Sequence, residues 1–163
     1  MVQTPNTRIR DQVSQWCPIR AEKNIQEVKR LLKDNTRDLL FFKLGINNGI
    51  RISGLLKLKV GDVRDIKPGQ TLKVNETKTD QMNILMINKS VHKVLKQYLD
   101  EIKPSDEDYL FQSRNGNNKP LTRETANKMI NEWTKSLKGN YGTHTCERHL
   151  DISRGRNMAF HLK

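Results

Sequence analysis

The most informative stretch of the sequence runs from Asn48 to Leu58 and reads NGIRISGLLKL. Arg51 follows a glycine turn and stands between Ile50 and Ile52, so apolar side chains flank it on both sides. We expect this arginine to be held where one helix ends and the next begins. An arginine fixed in this way usually binds an anion, because its guanidinium donates several hydrogen bonds in a rigid geometry. An ordinary buried salt bridge is the alternative interpretation.

Helical periodicity precedes this stretch. Apolar residues recur every three to four positions from Ala21, and the segment from Asn35 to Asp38 is typical of a helix stop followed by a new N-cap. A second helix is predicted up to the break at Asn48-Gly49, and a third from Ile52 to about Leu58. The apolar positions that define the first two helices are Ile25, Val28, Leu31, Leu32, Leu39, Leu40, Phe42, Leu44 and Ile46.

After the turn at Pro68-Gly69 the periodicity changes. Leu72–Asn75 and Ile84–Asn88 are predicted strands, and the polar stretch between them makes an antiparallel hairpin. Helical spacing returns from Val91 to Leu99, and Thr122 is the predicted N-cap of a last helix. The sequence therefore predicts a mainly α domain with a small antiparallel β-hairpin, an α+β fold.

Composition limits the classes of protein that this chain can belong to. Its 163 residues are the length of one ordinary domain. The formal net charge of +12 is spread along the chain and favours a polyanionic partner, nucleic acid before membrane. The sequence contains no apolar run of the roughly 20 residues that a membrane span needs, and we expect a cytoplasmic protein. Cys17 and Cys146 have no metal-ligand spacing, so two free thiols and no metal site are predicted.

The stretch around Arg51 resembles the first active-site box of the tyrosine recombinases, the phage integrase family. That box reads Gly-Leu-Arg-(Ile/Val)-Ser-Glu-Leu and is followed by Leu-x-Val-x-Asp-(Val/Ile). The resemblance extends from Pro18 to Thr145 and follows the predicted order of elements. Gly54 stands where the family usually has glutamate, so a carboxylate that supports the active site is missing. The resemblance implies a tyrosine-recombinase catalytic-domain fold.

The hairpin of the family carries a lysine that donates a proton to the leaving 5′ oxygen of DNA. Residues 76–84 read ETKTDQMNI and are similar to this turn, which implies that Lys78 is the lysine. A flexible ammonium group suits general-acid catalysis. Lys73 is the competing candidate if the register differs, and a solvated turn lysine is the non-functional alternative.

The second box of the family is His-x-x-Arg, and Tyr141-Gly142-Thr143-His144-Thr145 approaches it. Glu147 then stands where the phosphate-binding arginine is expected, and an acid there opposes phosphoryl transfer. Arg148 lies one residue further on, about 100° around a helix, and is no direct substitute.

A shift of reading frame would account for this departure. One permitted set of codons for residues 145–152, regrouped by a single nucleotide, reads Met-Arg-Lys-Thr-Phe-Gly-Tyr after His144-Thr145, which is close to the second box. We hypothesise that a single-nucleotide loss near codon 145 has put residues 146–163 out of frame, and we expect this tail to be poorly packed. The DNA sequence past codon 145 tests the hypothesis.

The resemblance implies site-specific recombination of duplex DNA, in which a tyrosine forms a 3′-phosphotyrosyl intermediate without a metal or nucleotide cofactor. The catalytic residues carried over are Arg51, Lys78 and His144. No residue matches the nucleophile, because Tyr98, Tyr109 and Tyr141 all lie in other contexts. We therefore expect an inactive remnant of a recombinase that serves DNA integration in a mobile element.

The predicted organisation has three parts: a basic N-terminal arm at 1–20, an incomplete tyrosine-recombinase-like catalytic domain at 21–145 and an atypical tail at 146–163. Duplex DNA is the expected partner and no membrane is expected. The parent protein assembles on DNA, and this chain is expected to be a monomer without it. A non-catalytic DNA-binding regulator on the same scaffold is the alternative function. RNA binding is disfavoured, because the sequence has neither aromatic stacking runs nor a Gly-x-x-Gly loop.

Overall fold

The computed structural model describes residues 22–48, 50–75, 82–114 and 117–137. The elements within them are, in chain order, α1 (Glu22–Leu31), α2 (Thr36–Asn48), α3 (Ile52–Leu56), α4 (Val60–Val63), β1 (Thr71–Asn75), β2 (Met82–Met86), α5 (Lys89–Ile102) and α6 (Arg123–Trp133). The predicted mainly helical fold with a small antiparallel hairpin is confirmed. The predicted 1–20 arm and 146–163 tail lie outside the described residues.

Helix α2 is the central element of the core. Its apolar side chains are buried around the helix, with Leu40 and Phe42 at 0% exposure, because α5 packs along it and the aromatic residues of later segments contact its other faces. Phe41 meets Phe111 edge to face at 5.0 Å between ring centroids, and Phe42 meets Trp133 of α6 at 6.2 Å. Such edge-to-face contacts add to the stabilisation from burial alone. These contacts hold α2 firmly, and its C-terminal end leads directly to Arg51.

Side-chain caps fix where several helices begin, and those at Thr122 and in the segment 35–38 are expected from the sequence. Asn35 accepts a hydrogen bond from the backbone N–H of Asp38 at the start of α2. Thr122 accepts one from Thr125 N–H at the start of α6, and Asn88 accepts one from Val91 N–H at the start of α5. Each cap satisfies a backbone donor that the helix itself cannot pair.

Asn88 also corrects a predicted boundary. The sequence pattern extends the second strand to Asn88, but β2 ends at Met86 and Asn88 is already the cap of α5. The side chain of asparagine competes for backbone donors, which favours a cap over a strand interior. The third helix is likewise shorter than expected, because α3 ends at Leu56 and a separate helix, α4, begins at Val60.

The hairpin pairs β1 with β2 in antiparallel register, with Leu72 opposite Leu85 and Lys73 opposite Ile84. Val74 and Leu85 are buried, whereas Ile84 and Met86 are 57% and 53% exposed, so one face of this sheet rests on the core and the other is open. This is the ordinary two-faced pattern of an antiparallel sheet.

Leu31 and Leu32, two of the apolar positions at helical spacing, differ in burial. Leu31 at the end of α1 is 61% exposed, whereas Leu32 is 4% exposed. Successive helical residues point about 100° apart, so a narrow contact on this helix buries only one of the pair.

No helix within the described residues is long and apolar enough to cross a membrane.

Candidate active site

Arg51 lies at the junction of α2 and α3, in extended backbone with φ −61° and ψ 139°. Its carbonyl oxygen accepts hydrogen bonds from the N–H groups of Gly54 and Leu55, which begins α3. Its neighbours Ile50 and Ile52 are 1% and 0% exposed, while Arg51 itself is exposed. Two buried isoleucines thus anchor the backbone on either side of a side chain that points outward. The expectation that Arg51 is held between two helices agrees with this geometry.

Asn48 connects this junction to the hairpin. Its Oδ1 accepts a hydrogen bond from the backbone N–H of Met86 in β2 at 2.6 Å, and its Nδ2 donates one to the carbonyl of Leu44 at 3.1 Å. One side chain therefore satisfies both a donor on the outer edge of β2 and an acceptor in the last turns of α2. This pair of bonds fixes β2 relative to the segment that leads to Arg51.

Gly54 makes a second connection between α3 and the hairpin. A Cβ atom placed there would lie 3.4 Å from side-chain atoms of Ile50 and 3.5 Å from Cγ1 of Val74 in β1. These are ordinary van der Waals distances, so α3 lies directly against β1 at this position. The position where the family usually carries glutamate is buried against two apolar side chains in this chain, so a carboxylate here would meet an apolar environment.

The two candidate lysines fall in different parts of the hairpin. Lys73 is an exposed residue in the body of β1, opposite Ile84. Lys78 belongs to the segment between Asn75 and Met82, which joins the two strands and lies outside the described residues. The register therefore keeps Lys73 out of the connecting turn, and the assignment of Lys78 stays a prediction from the sequence.

His144 and Glu147 also lie outside the described residues, as does Tyr141. The structure places Asn48 and Gly54, three residues before and after Arg51, against the two strands of the hairpin, but it does not describe the second box. The assignment of His144 likewise stays a prediction.

Tyr98 has a structural role. Its side chain is 5% exposed, and its hydroxyl donates a hydrogen bond to the carbonyl of Leu110 at 3.0 Å. Burial raises the pKa of this phenol above its usual value, which is the opposite of what an activated nucleophile needs. Tyr109 is half-buried and its backbone bridges to Lys59.

Two exposed groups near helix starts also have shifted pKa values. Hydrogen bonds from its own backbone N–H and from the Thr122 side chain lower the pKa of Glu124 in the first turn of α6. A hydrogen bond to Glu107 raises the pKa of Lys59. Neither group lies beside Arg51 in the chain, and Lys59 pairs with Glu107, 48 residues later.

The sequence alone does not identify the contacts of Asn48 with Met86 and of Lys43 with Ser90. Asn48 is only part of a predicted helix break, and nothing local indicates a bond to a residue 38 positions later. Within the described residues no group of three or more metal-ligating side chains is present.

Arg51 lies directly before α3, and residues on either side of it contact the hairpin. This arrangement can be compared with known proteins. The sequence model of the phage integrase family matches residues 20–150, most of the chain. This chain belongs to the phage integrase family.

Curated relatives of this integrase-family chain are recombinases. It is 32% identical over 155 residues to the probable integrase/recombinase YoeC of Bacillus subtilis, covering 88% of this chain and 82% of that protein. It is 29% identical over 141 residues to the tyrosine recombinase XerA of Pyrococcus furiosus, covering 78% of this chain and 48% of that protein. The chain thus spans most of YoeC but about half the length of XerA. The resemblance to tyrosine recombinases is confirmed.

Solved structures share the fold. A crystal structure of XerA recombinase superposes with a TM-score of 0.73 at 24% identity, covering 86% of this chain and 52% of that chain. The XerH site-specific recombinase bound to its difH substrate gives a TM-score of 0.68 at 18% identity, covering 88% of this chain and 44% of that chain. These integrase-family structures show that the described helices and hairpin form the family's fold.

Proposed function

We propose that this chain binds duplex DNA as a tyrosine recombinase catalytic domain and that, in its present sequence, it does not cleave DNA. The observation that carries the proposal is Arg51, which two buried isoleucines present outward at a fixed junction. A rigid guanidinium suits bidentate contact with the nonbridging oxygens of a phosphodiester.

Structures of similar recombinases bound to DNA support duplex DNA as the partner. XerH has been solved in complex with difH DNA before and after cleavage, and the integrase of the transposon Tn1549 in complex with transposon right-end DNA. A chain with the same fold and a net charge of +12 is suited to a polyanionic duplex.

Three residues take named roles at one phosphate. Arg51 binds its nonbridging oxygens, Lys78 protonates the leaving 5′ oxygen, and His144 adds a further contact to the phosphate. Lys78 lies three residues beyond Asn75, the last residue of β1. The adjacent Val74 packs against Gly54, three residues after Arg51. This connectivity supports a shared site for Arg51 and Lys78.

Glu147 is the reason for expecting no cleavage. The second box calls for an arginine at this position, where transition-state charge must be neutralised. A carboxylate there repels the phosphate instead.

Duplex binding is tested by anisotropy of a labelled duplex with the wild type, Arg51→Gln and Arg30→Gln. Arg30 is an exposed arginine of α1, and its substitution removes the same charge from a different helix. Arg51→Gln is expected to weaken binding about tenfold, which corresponds to about 1.4 kcal/mol, and Arg30→Gln by less than about twofold. Equal effects of the two substitutions would overturn the role of Arg51, and failure of the wild type to bind duplex DNA would overturn the proposal.

A nicked suicide substrate tests cleavage, because a covalent intermediate accumulates on it. We expect no covalent protein–DNA adduct on a denaturing gel. An adduct would show that this chain is an active recombinase despite Glu147.

A regulator that occupies recombination sites without cutting them is the second candidate, and Glu147 favours it. Such a regulator must compete with an active recombinase for the same duplex. If this chain inhibits DNA cleavage by an active family member, and the Arg51→Gln variant does not, the chain is a regulator and not a remnant without function.

A further inference from the structure

Lysines of α1, α2 and α5 form a cluster around Lys43. Lys43 of α2 donates hydrogen bonds from Nζ to the hydroxyl of Ser90 at 2.8 Å and to the Ser90 carbonyl at 3.4 Å, at the start of α5. Lys29 of α1 and Lys93 of α5 lie close enough to repel its charge. Lysines from three helices therefore contribute positive charge around Lys43.

The cluster has no acidic residue among its nearest helical neighbours. On a helix, side chains three and four positions apart lie next to each other. The residues so placed around Lys29, Lys43 and Lys93 are Ile25, Gln26, Leu32, Lys33, Leu39, Leu40, Ile46, Asn47, Lys89, Ser90, Lys96 and Gln97, and none of them carries a negative charge.

This arrangement costs free energy in the absence of an anion. Lys43 is half-buried, and burial together with the charges of Lys29 and Lys93 lowers its pKa. Neighbouring like charges disfavour one another's charged form, and a bound anion would relieve that repulsion. The exposed charge of Lys93 and the hydroxyl of Ser90 lie on the solvent side, so an anion can reach the cluster.

We infer that Lys29, Lys43, Lys93 and the Ser90 hydroxyl bind a phosphate of the DNA backbone, in addition to the phosphate at Arg51. This inference rests on the proposed function, since the anion is part of the same duplex. Lys43 precedes Asn48 by five residues, about 7.5 Å along the axis of α2. Because a duplex carries phosphates on both sides of grooves about 6 and 12 Å wide, one duplex offers a phosphate to the cluster as well as to Arg51.

The test compares two triple variants of equal charge. Lys29→Gln/Lys43→Gln/Lys93→Gln removes the cluster, and Lys23→Gln/Lys67→Gln/Lys103→Gln removes three exposed lysines elsewhere. Duplex affinity is measured by anisotropy from about 50 to 200 mM salt, the range over which phosphate contacts are most visible.

Removal of the cluster is expected to weaken binding about fivefold or more beyond the control at ~100 mM salt. It should also lower the slope of log K against log salt by about 0.9 for each phosphate that the protein no longer neutralises. Lys43→Arg keeps the charge and is expected to bind within about twofold of the wild type. Thermal unfolding of each variant confirms that it is folded.

Equal affinities and slopes for the two triple variants would overturn this site while leaving the proposed function intact. A wild type that does not bind duplex DNA would overturn both. A weakening confined to structured RNA, with duplex DNA unaffected, would also overturn the inference.

Discussion

Arg51 gains its position from its neighbours in the chain. Ile50 and Ile52 are buried to within 1% of full burial, and together they direct the intervening side chain outward. The alternation of apolar and charged residues at this point is visible in the sequence, which is why Arg51 can be identified there. The backbone turn that makes the alternation possible ends a helix and starts another within three residues.

Tyr98 is buried, whereas Arg51 is exposed, and a substitution at Tyr98 tests how much its buried hydroxyl contributes to stability. Tyr98→Phe removes the hydrogen bond to the Leu110 carbonyl, and we expect it to lower the free energy of unfolding by about 1–2 kcal/mol at neutral pH. Urea unfolding of both proteins measures the difference.

The pH dependence of that difference follows from the raised pKa. The folded state keeps the proton on Tyr98 longer than the unfolded state, whose phenol titrates near pH 10. The stabilisation is therefore complete below pH 10 and is lost as the pH rises through the higher folded-state pKa. The wild type should lose more stability than Tyr98→Phe above about pH 10. Parallel pH profiles for the two proteins would contradict this account.

At the scale of elements, helix periodicity and capping residues predict most of the structure. Asn35 and Thr122 cap helices as expected, and the hairpin has the expected antiparallel pairing. The contacts between elements are not predictable in the same way. The bond of Asn48 to Met86 spans 38 residues, and the meeting of Lys29, Lys43 and Lys93 depends on how three helices pack. Local sequence patterns determine the faces of helices but contain no information on which faces meet.

Asn48→Ala tests the connection between α2 and the hairpin. The substitution leaves the N–H of Met86 and the carbonyl of Leu44 without this partner, so we expect the free energy of unfolding to fall by about 1–3 kcal/mol. Hydrogen exchange at the Met86 amide should also accelerate more than exchange at amides in the middle of α5.

Asn47→Ala is the matched control, because Asn47 is the exposed neighbour in the same helix. Its effect is expected to stay within about 0.5 kcal/mol. If the two alanine variants were equally stable, the side chain of Asn48 would not be what fixes β2.

At the scale of the whole molecule, positive charge is spread over a folded surface and not confined to a tail. Residues 146–163 contain four Lys or Arg and two Asp or Glu, so they account for +2 of the net +12. The remaining +10 belongs to residues 1–145, where Arg51 and the lysine cluster lie. A basic surface of this kind increases the rate of encounter with DNA and its salt dependence, but specific contacts must decide where the phosphates bind.

Glu147 is the position at which a charge opposes the proposed partner most directly, and Glu147→Arg tests its effect. The substitution replaces an acid by the arginine that the second box calls for, and it matches the residue read in the shifted frame. We expect duplex affinity to rise about tenfold, because a repulsive charge becomes a charge-assisted hydrogen-bond donor. Asp34→Arg makes the same change of charge at an exposed position before α2 and should raise affinity by less than about threefold. An equal gain in the two variants, measured by anisotropy at the same salt concentration, would mean that Glu147 acts only through net charge and that His144 does not mark a phosphate site.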